Sequence, residues 1–182
     1  ASDVYKRQVL EKLTAHFKIT VLFYNPNIYP EAEYQKREAE LKRLISEMPC
    51  TKEVALVDLP YVPEEFFTAV RGLEHIPEGG ERCFACYQLR MEAAAKYAAE
   101  HHFDFFTTTL SISPLKNAQK LNELGEALAE KYGVPHLPSD FKKQEGYKRS
   151  IRLSADYNLY RQDFCGCVFS KKEREAKAHG EA

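Results

Sequence analysis

The 182-residue chain has no apolar run that approaches the ~18 residues a membrane-crossing helix needs, and no signal-peptide pattern opens it. A membrane span and a secretory leader are thereby set aside, and a cytoplasmic protein is the expectation. Charge of one sign is not in excess either. The 26 basic residues face 27 acidic ones, for a formal net charge of −1, so the chain is no polycation and any nucleic-acid surface must be local. Internal repeats and linker-like stretches are absent, and the six histidines show no metal-ligand spacing. What remains is 44 % apolar and 29 % charged, an ordinary composition for a globular domain. A chain of this length can bury roughly 70 % of its unfolded surface. We expect one domain over residues 9–170, preceded by a non-native leader, ASDVYKRQ, at 1–8 and followed by a polar, fraying tail at 171–182.

Apolar residues at 9, 10, 13 and 17 predict a short helix, which leads into a β-branched and aromatic strand over 18–24 ended by Asn25-Pro26-Asn27. A charged segment from Pro30 to Met48 carries a narrow stripe of Tyr34, Leu41, Leu44 and Ile45, the pattern of a surface helix. Further strands are expected at 53–58, 103–109 and 134–137. Helices are expected from Pro63 to about 71 and over 83–101, 115–132 and 145–157, with Gly133 as a C-cap. Alternating strands and helices argue for an α/β fold: an open, mostly parallel sheet with right-handed crossovers and helices on both faces. Such folds place their chemistry at the carboxyl ends of the strands. Asn25–Asn27 and the Thr107–Pro114 loop would lie there. A chain that opens on the helix of an α/β unit is also expected to lack the strand before it.

Five cysteines in a chain without secretory features are expected to be reduced thiols, metal ligands or catalytic groups. Cys83-Phe-Ala-Cys86 puts two thiols on about one helical turn, near a helix N-terminus whose dipole favours thiolates. Those thiolates could bind metal or act as nucleophiles; two partly buried cysteines without a role is the competing reading. Cys165-Gly-Cys167 can close only a small, strained and easily reduced disulfide, which suits two-electron cycling, and Gly166 supplies the backbone freedom for it. The two pairs could instead form a structural four-cysteine zinc site, making the protein a binding module. CxC alone could serve a thiol–disulfide oxidoreductase. An iron–sulfur cluster normally takes four thiolates, so Cys83 and Cys86 cannot hold one unaided. Cys50 reads as a solitary packing or surface cysteine.

Four spaced segments in one order, Gly79-Gly-Glu-Arg-Cys-Phe-Ala-Cys86, Thr107-Thr-Thr-Leu-Ser-Ile-Ser-Pro114, Pro138-Ser-Asp-Phe-Lys-Lys143 and Tyr160-Arg-Gln-Asp-Phe-Cys-Gly-Cys167, resemble the QueH-type epoxyqueuosine reductases. Phe23-Tyr-Asn-Pro-Asn-Ile28 fits as well. The resemblance implies reduction of the epoxide of epoxyqueuosine at the tRNA wobble position, the last step of queuosine synthesis. It implies a Rossmann-like sheet of the adenine-nucleotide hydrolase type and a 4Fe–4S cluster with Cys83 and Cys86 as ligands. It also allows a second, mononuclear iron, and gives Cys165 and Cys167 the role of a redox-active, disulfide-forming pair. An electron donor is implied but not identified. In that family an adjacent Cys-Cys pair ends the first strand and supplies the other two cluster ligands. ASDVYKRQ stands in its place here, so the expectation is a truncated chain that could itself be inactive.

Residues 141–174 hold nine Lys or Arg (142, 143, 148, 149, 152, 161, 171, 172, 174) against four acids (145, 156, 163, 173), a local charge of +5. Phe141, Tyr147, Tyr157, Tyr160 and Phe164 are interleaved with them. A basic segment with aromatic platforms beside the CxC pair suits an unstacked RNA loop, and a solvated helix face over core aromatics is the plainer alternative. Asp140 and Asp163 are candidate metal-near or proton-donating carboxylates, with helix capping or ion pairing as the favoured reading. Thr107, Thr108, Ser111 and Ser113 could meet a phosphate or ribose, or serve ordinary turn chemistry.

Overall fold

Two parallel crossover units make up the framework, and each is a β segment, a helix and a second β segment. The computed structural model describes residues 9–141 and 164–180. A short helix over 9–13 leads into β1 (Thr20–Phe23). After α1 (Glu31–Glu47), the chain returns to β2 (Ala55–Asp58), which pairs with β1 in parallel from Thr20↔Ala55 to Phe23↔Asp58. The helix α1 forms because its charges repeat at helical spacing. Lys42 bridges to Glu38 (2.7 Å), and Arg43 bridges to Glu40 (2.9 Å) and Glu47 (3.1 Å). Such exposed pairs contribute only a few tenths of a kcal/mol each, about 0.2–0.5. Its buried stripe of Tyr34, Leu41 and Leu44 does the larger share by covering Phe23, Leu10 and Met48. Arg37 lies on that same buried face.

The second unit follows α2 (Pro63–Ala69), which starts with Pro63 in its first turn, and α3 (Glu81–Glu100). α4 (Ala118–Tyr132) joins Phe106 to His136, which form an isolated parallel bridge. Asn117 caps α4, accepting from the Lys120 N–H at 3.0 Å. Gly133 closes it in the left-handed conformation with φ +70°, the C-cap that the sequence predicts. Tyr87, Met91, Ala95 and Ala98 of α3 pack on Leu121 and Leu128 of α4 in the larger core, with Phe106 beneath.

Two expectations, the later strands and the fraying tail, are corrected. Strands at 103–109 and 134–137 reduce to that single bridge, with the Phe106 N–H donating to Pro135 O (3.0 Å) and the Leu137 N–H to Phe106 O (2.9 Å). Pro135 has no N–H to add another rung, and the chain turns into a 3-10 helix at Thr109–Ile112. Among the described residues the architecture is therefore α/β with a two-stranded parallel sheet plus one bridge, coarser than an open Rossmann-like sheet. The segment expected to fray from Lys171 is helical as α5 (Val168–Ala178). An Arg82–Glu173 ion pair at 2.6 Å docks it, and so does the Glu78 N–H donating to Glu173 at 3.1 Å. The expected helix at 145–157 lies outside the described residues. No helix among the described residues is long and apolar enough to cross a membrane.

Candidate functional site

The turn at Gly79-Gly80 launches α3 and aims its first cysteine. Gly79 sits at φ +95° and donates its N–H to the Cys83 sulfur at 3.2 Å. A Cβ on Gly80 would lie 2.6 Å from Ile76, so the turn has no room for a side chain there. Cys83, Cys86, Tyr87 and Arg90 follow at helical spacing on one face, with the first three buried. Arg90 reaches the turn after β1, donating to Asn25 Oδ1 at 2.6 Å.

The CxC loop is pinned against the same turn. Gly166 adopts φ +113°, and a Cβ there would meet the Arg37 guanidinium at 2.9 Å and Ile28 at 3.1 Å. Tyr29 donates its N–H to Gly166 O at 2.9 Å. Arg37, 2 % exposed, donates to Cys165 O at 3.1 Å and to Phe164 O at 3.4 Å, and pairs with Glu33 at 2.7 Å. Cys167 is the N-cap of α5, its sulfur accepting from the Ser170 N–H at 3.4 Å. Its side chain shares a buried apolar cluster with Cys86, Phe66 and Val70. The two cysteine pairs, separated by about eighty positions of sequence, thus meet in space. All four cysteines are thiols rather than disulfides in this structure.

A buried polar ring surrounds Cys165. Lys116, 6 % exposed, donates to the Cys165 sulfur at 3.1 Å and to Glu78 Oε1 at 3.0 Å. Ser170 donates its hydroxyl to Glu78 Oε2 at 2.9 Å and accepts the Cys165 N–H at 3.2 Å. The Cys167 thiol and the Lys116 ammonium beside it hold the Cys165 thiol well below its usual range, against the effect of burial. Cys167 moves the opposite way, pushed up by its hydrogen bond to Cys165 and by burial. Burial alone would raise Glu78 and lower Lys116. The attraction between the two wins at Glu78, which is held down, and at Lys116 the Cys165 sulfur, Tyr87 and Glu78 together hold the amine up. Cys83 and Cys86 do not follow the helix-dipole expectation. Burial pushes Cys83 up, and Cys86 to about 11, despite the Gly79 N–H on one and Arg90 near the other.

Lys116, Glu78, Ser170, Arg37 and Arg90 are functional candidates that the motifs did not single out. Glu78 precedes Gly79-Gly80 directly, which is the one cue the sequence offers. Nothing in the spacing of Lys116 marks it as buried. Thr108 does turn chemistry, accepting from the Leu110 N–H at 3.2 Å, while Ser111 and Ser139 share a hydrogen bond at 2.9 Å. Thr107 donates to Leu137 O at 2.9 Å. Asp140 is half-buried after the bridge at His136, Cys50 is exposed, and Asp163, Lys148 and Arg149 lie outside the described residues.

A cavity of about 1140 Å³ is lined by both β1 and the 103–109 segment, and Asn25, Arg90, Thr107, Lys116 and Cys165 are among its polar lining. Among the buried polar atoms of the described residues that lack a hydrogen-bond partner are Asn27 Oδ1 and Arg90 Nε, whose residues line the cavity, and the Tyr87 hydroxyl. Tyr87 is buried in the same cluster as Cys83, and burial pushes its phenol up. Such orphans are rare in finished cores and mark a place where another polar group belongs. Among the described residues the donor set for a cubane cluster is nevertheless incomplete. Cys83 and Cys86 supply two thiols where about four are needed, and no group of three or more His, Cys, Asp or Glu among the described residues is arranged to hold a metal ion. The four-cysteine zinc arrangement is likewise not formed among them.

The chain matches the family described as "Epoxyqueuosine reductase QueH" over residues 4–173. Proteins of that name from Streptococcus pyogenes serotype M1 and Staphylococcus epidermidis are each 43 % identical to it over 165 residues, covering 90 % and 88 % of this chain. One from Thermotoga maritima is 36 % identical over 158 residues. The chain spans 65 %, 69 % and 80 % of the length of these three relatives.

Proposed function

The chain belongs to the epoxyqueuosine reductase QueH family, and from that premise we propose that it reduces the epoxide of epoxyqueuosine in tRNA to the alkene of queuosine, with Cys165 and Cys167 as its redox pair. Opening an epoxide to an alkene and water consumes two electrons and two protons. Closing a Cys165–Cys167 disulfide releases two electrons and the protons the sulfurs carry, so the pair balances the electron count of the reaction. A reductant outside the chain must then reopen the disulfide. The observation that carries this reading is the convergence of the two cysteine pairs around Lys116, with Cys86 and Cys167 in one buried cluster and Cys165 lining the cavity.

Cys83 and Cys86 are assigned to iron–sulfur binding in this proposal. A 4Fe–4S cluster there would pass single electrons and offer an iron to the epoxide oxygen, and the proposal keeps room for a second, mononuclear iron. The described residues supply two of the roughly four thiolates such a cluster takes. What the chain's own residues do is clearer. Arg37 and Gly166 hold the CxC loop against the Asn25–Tyr29 turn, Lys116 and Glu78 set the charge at Cys165, and Arg90 orients Asn25 at the cavity. We read the two parallel crossover units as parts of a Rossmann-like sheet with helices on both faces. The tRNA partner is assigned to the basic segment at 141–174, and the protein to the cytoplasm.

Turnover of tRNA carrying epoxyqueuosine tests the reading. Changing Cys165 and Cys167 together to Ala should abolish it while circular dichroism stays unchanged, and full activity in that variant would reject the redox role. Iron and sulfide in anaerobically purified protein, lost in Cys83→Ser, support the cluster, and a metal-free active protein removes it. Charge reversal at Lys148 and Arg149 should weaken tRNA binding and flatten its salt dependence.

A further inference from the structure

The cysteine pair is not symmetric in its surroundings. Cys167 sits at a helix N-terminus, in an apolar cluster with Phe66, Val70 and Cys86, and its sulfur accepts from the Ser170 N–H. Cys165 lines the cavity and lies 3.1 Å from a buried ammonium. That ammonium cannot wander. Lys116 follows the turn after the 3-10 helix Thr109–Ile112, its N–H bonded to Ser113 O at 3.1 Å, and its side chain is 6 % exposed. Glu78 anchors it at 3.0 Å, and Glu78 is itself held by the Ser170 hydroxyl at 2.9 Å. Ser170 also takes the Cys165 N–H at 3.2 Å, which closes a ring from sulfur to lysine to carboxylate to serine and back to the backbone of the same cysteine. A buried lysine–carboxylate pair is costly to desolvate, and its retention points to a use for the charge.

We propose that Lys116, locked in place by Glu78 and Ser170, is a positioning residue that holds the negative charge of the Cys165 sulfur and makes Cys165, rather than Cys167, the reactive member of the pair. This rests on the reading of Cys165 and Cys167 as the redox couple. The ammonium balances the thiolate without taking part in bond making. The S–S bond forms between the two sulfurs, releasing two electrons and the protons they carry, and a two-electron donor, such as a dithiol, reverses it. Charge on one sulfur also breaks the degeneracy of reopening, since the sulfur that leaves best as an anion is the one beside the cation. The closed hydrogen-bonded ring makes the lysine beside the thiol a built feature.

The test is alkylation of the reduced chain by iodoacetamide at neutral pH, with Cys165, Cys167 and exposed Cys50 quantified separately by peptide mass spectrometry. Alkylation follows the thiolate fraction, so Lys116→Met should slow labelling of Cys165 by roughly tenfold or more while Cys50 is unchanged. Lys116→Arg, which keeps the charge, should restore most of the rate. Lys116→Gln serves if the Met variant fails to fold, and is expected to show the same loss. In turnover, the loss should appear in kcat with KM for tRNA unmoved. An unchanged Cys165 rate in a folded Met or Gln variant overturns the proposal, and so does failure of Arg to rescue. Activity in the doubly substituted Cys165→Ala, Cys167→Ala protein would instead overturn the redox reading, whatever the Lys116 variants do to labelling.

Discussion

Replacing Arg37 with Met should release the CxC loop without unfolding the molecule. The guanidinium is almost fully buried and makes two hydrogen bonds to backbone carbonyls of that loop, at 3.1 Å to Cys165 O and 3.4 Å to Phe164 O. It also stacks over the Phe164 ring at 5.1 Å. Hydrogen bonds from a charged donor contribute about 1.5–3 kcal/mol each. The longer one belongs at the low end, so the pair is worth about 3 kcal/mol to the docked loop. Loss of the 2.7 Å ion pair with Glu33 adds to the cost of the variant. At ~1.4 kcal/mol per factor of ten, the loop should open on the order of 100-fold more often. The reporter is the Tyr29 amide, whose N–H is bonded to Gly166 O at 2.9 Å and so is freed when the loop leaves. Hydrogen exchange should accelerate at Tyr29 by roughly that factor. The Gly133 amide, bonded to Ala129 O at the far end of α4, should keep its rate. Arg37→Lys, with one donor in place of a fork, should fall between the two. Tyr29 exchange within about threefold of wild type in the Met variant would show that Arg37 does not clamp the loop.

Gly166→Ala should destabilise the chain by about 1–3 kcal/mol, because it forces a side chain into φ +113° and against Arg37; an unchanged urea midpoint would contradict this. Gly125→Ala places a Cβ 2.4 Å from the His136 ring and should cost about 1–3 kcal/mol by overpacking, read from the same titration. His136 is held below its usual range by burial, so its share of the stability is present above pH ~6.5 and is lost as pH falls below that. His136→Phe should remove that dependence, and a wild-type midpoint flat across this window would refute it. Glu78 is likewise held below the usual carboxylate range, chiefly by Lys116 acting against burial. Its stabilisation is complete above about pH 4.3 and fades as the pH drops through its lowered value, a loss that Glu78→Gln should not show.

Local chemistry was legible in the linear order of residues. Gly133 announces the end of α4, the charge pairs and apolar stripe announce α1, and β1 and β2 follow from β-branched runs. The four cysteines stood out by spacing alone, because a short covalent span limits what two thiols can do. The segments at 103–109 and 134–137 were harder. Strand propensity was present, but pairing depends on a neighbouring chain, and Pro135 leaves one rung. The docking of α5 also had no sequence cue, since its polar surface hides the contacts that Glu173 and Phe169 make with Arg82. Only the tertiary structure could bring Cys83–Cys86 to Cys165–Cys167, and only it could reverse the expected acidity of the first pair. Thiolate character depends on the balance between helix dipole and desolvation, and burial is a property of the packed molecule. Lys116 makes the same point more sharply. In sequence it is one of 26 basic residues; its position 3.1 Å from a cysteine sulfur is the product of long-range packing, because charge acts through space and not along the chain.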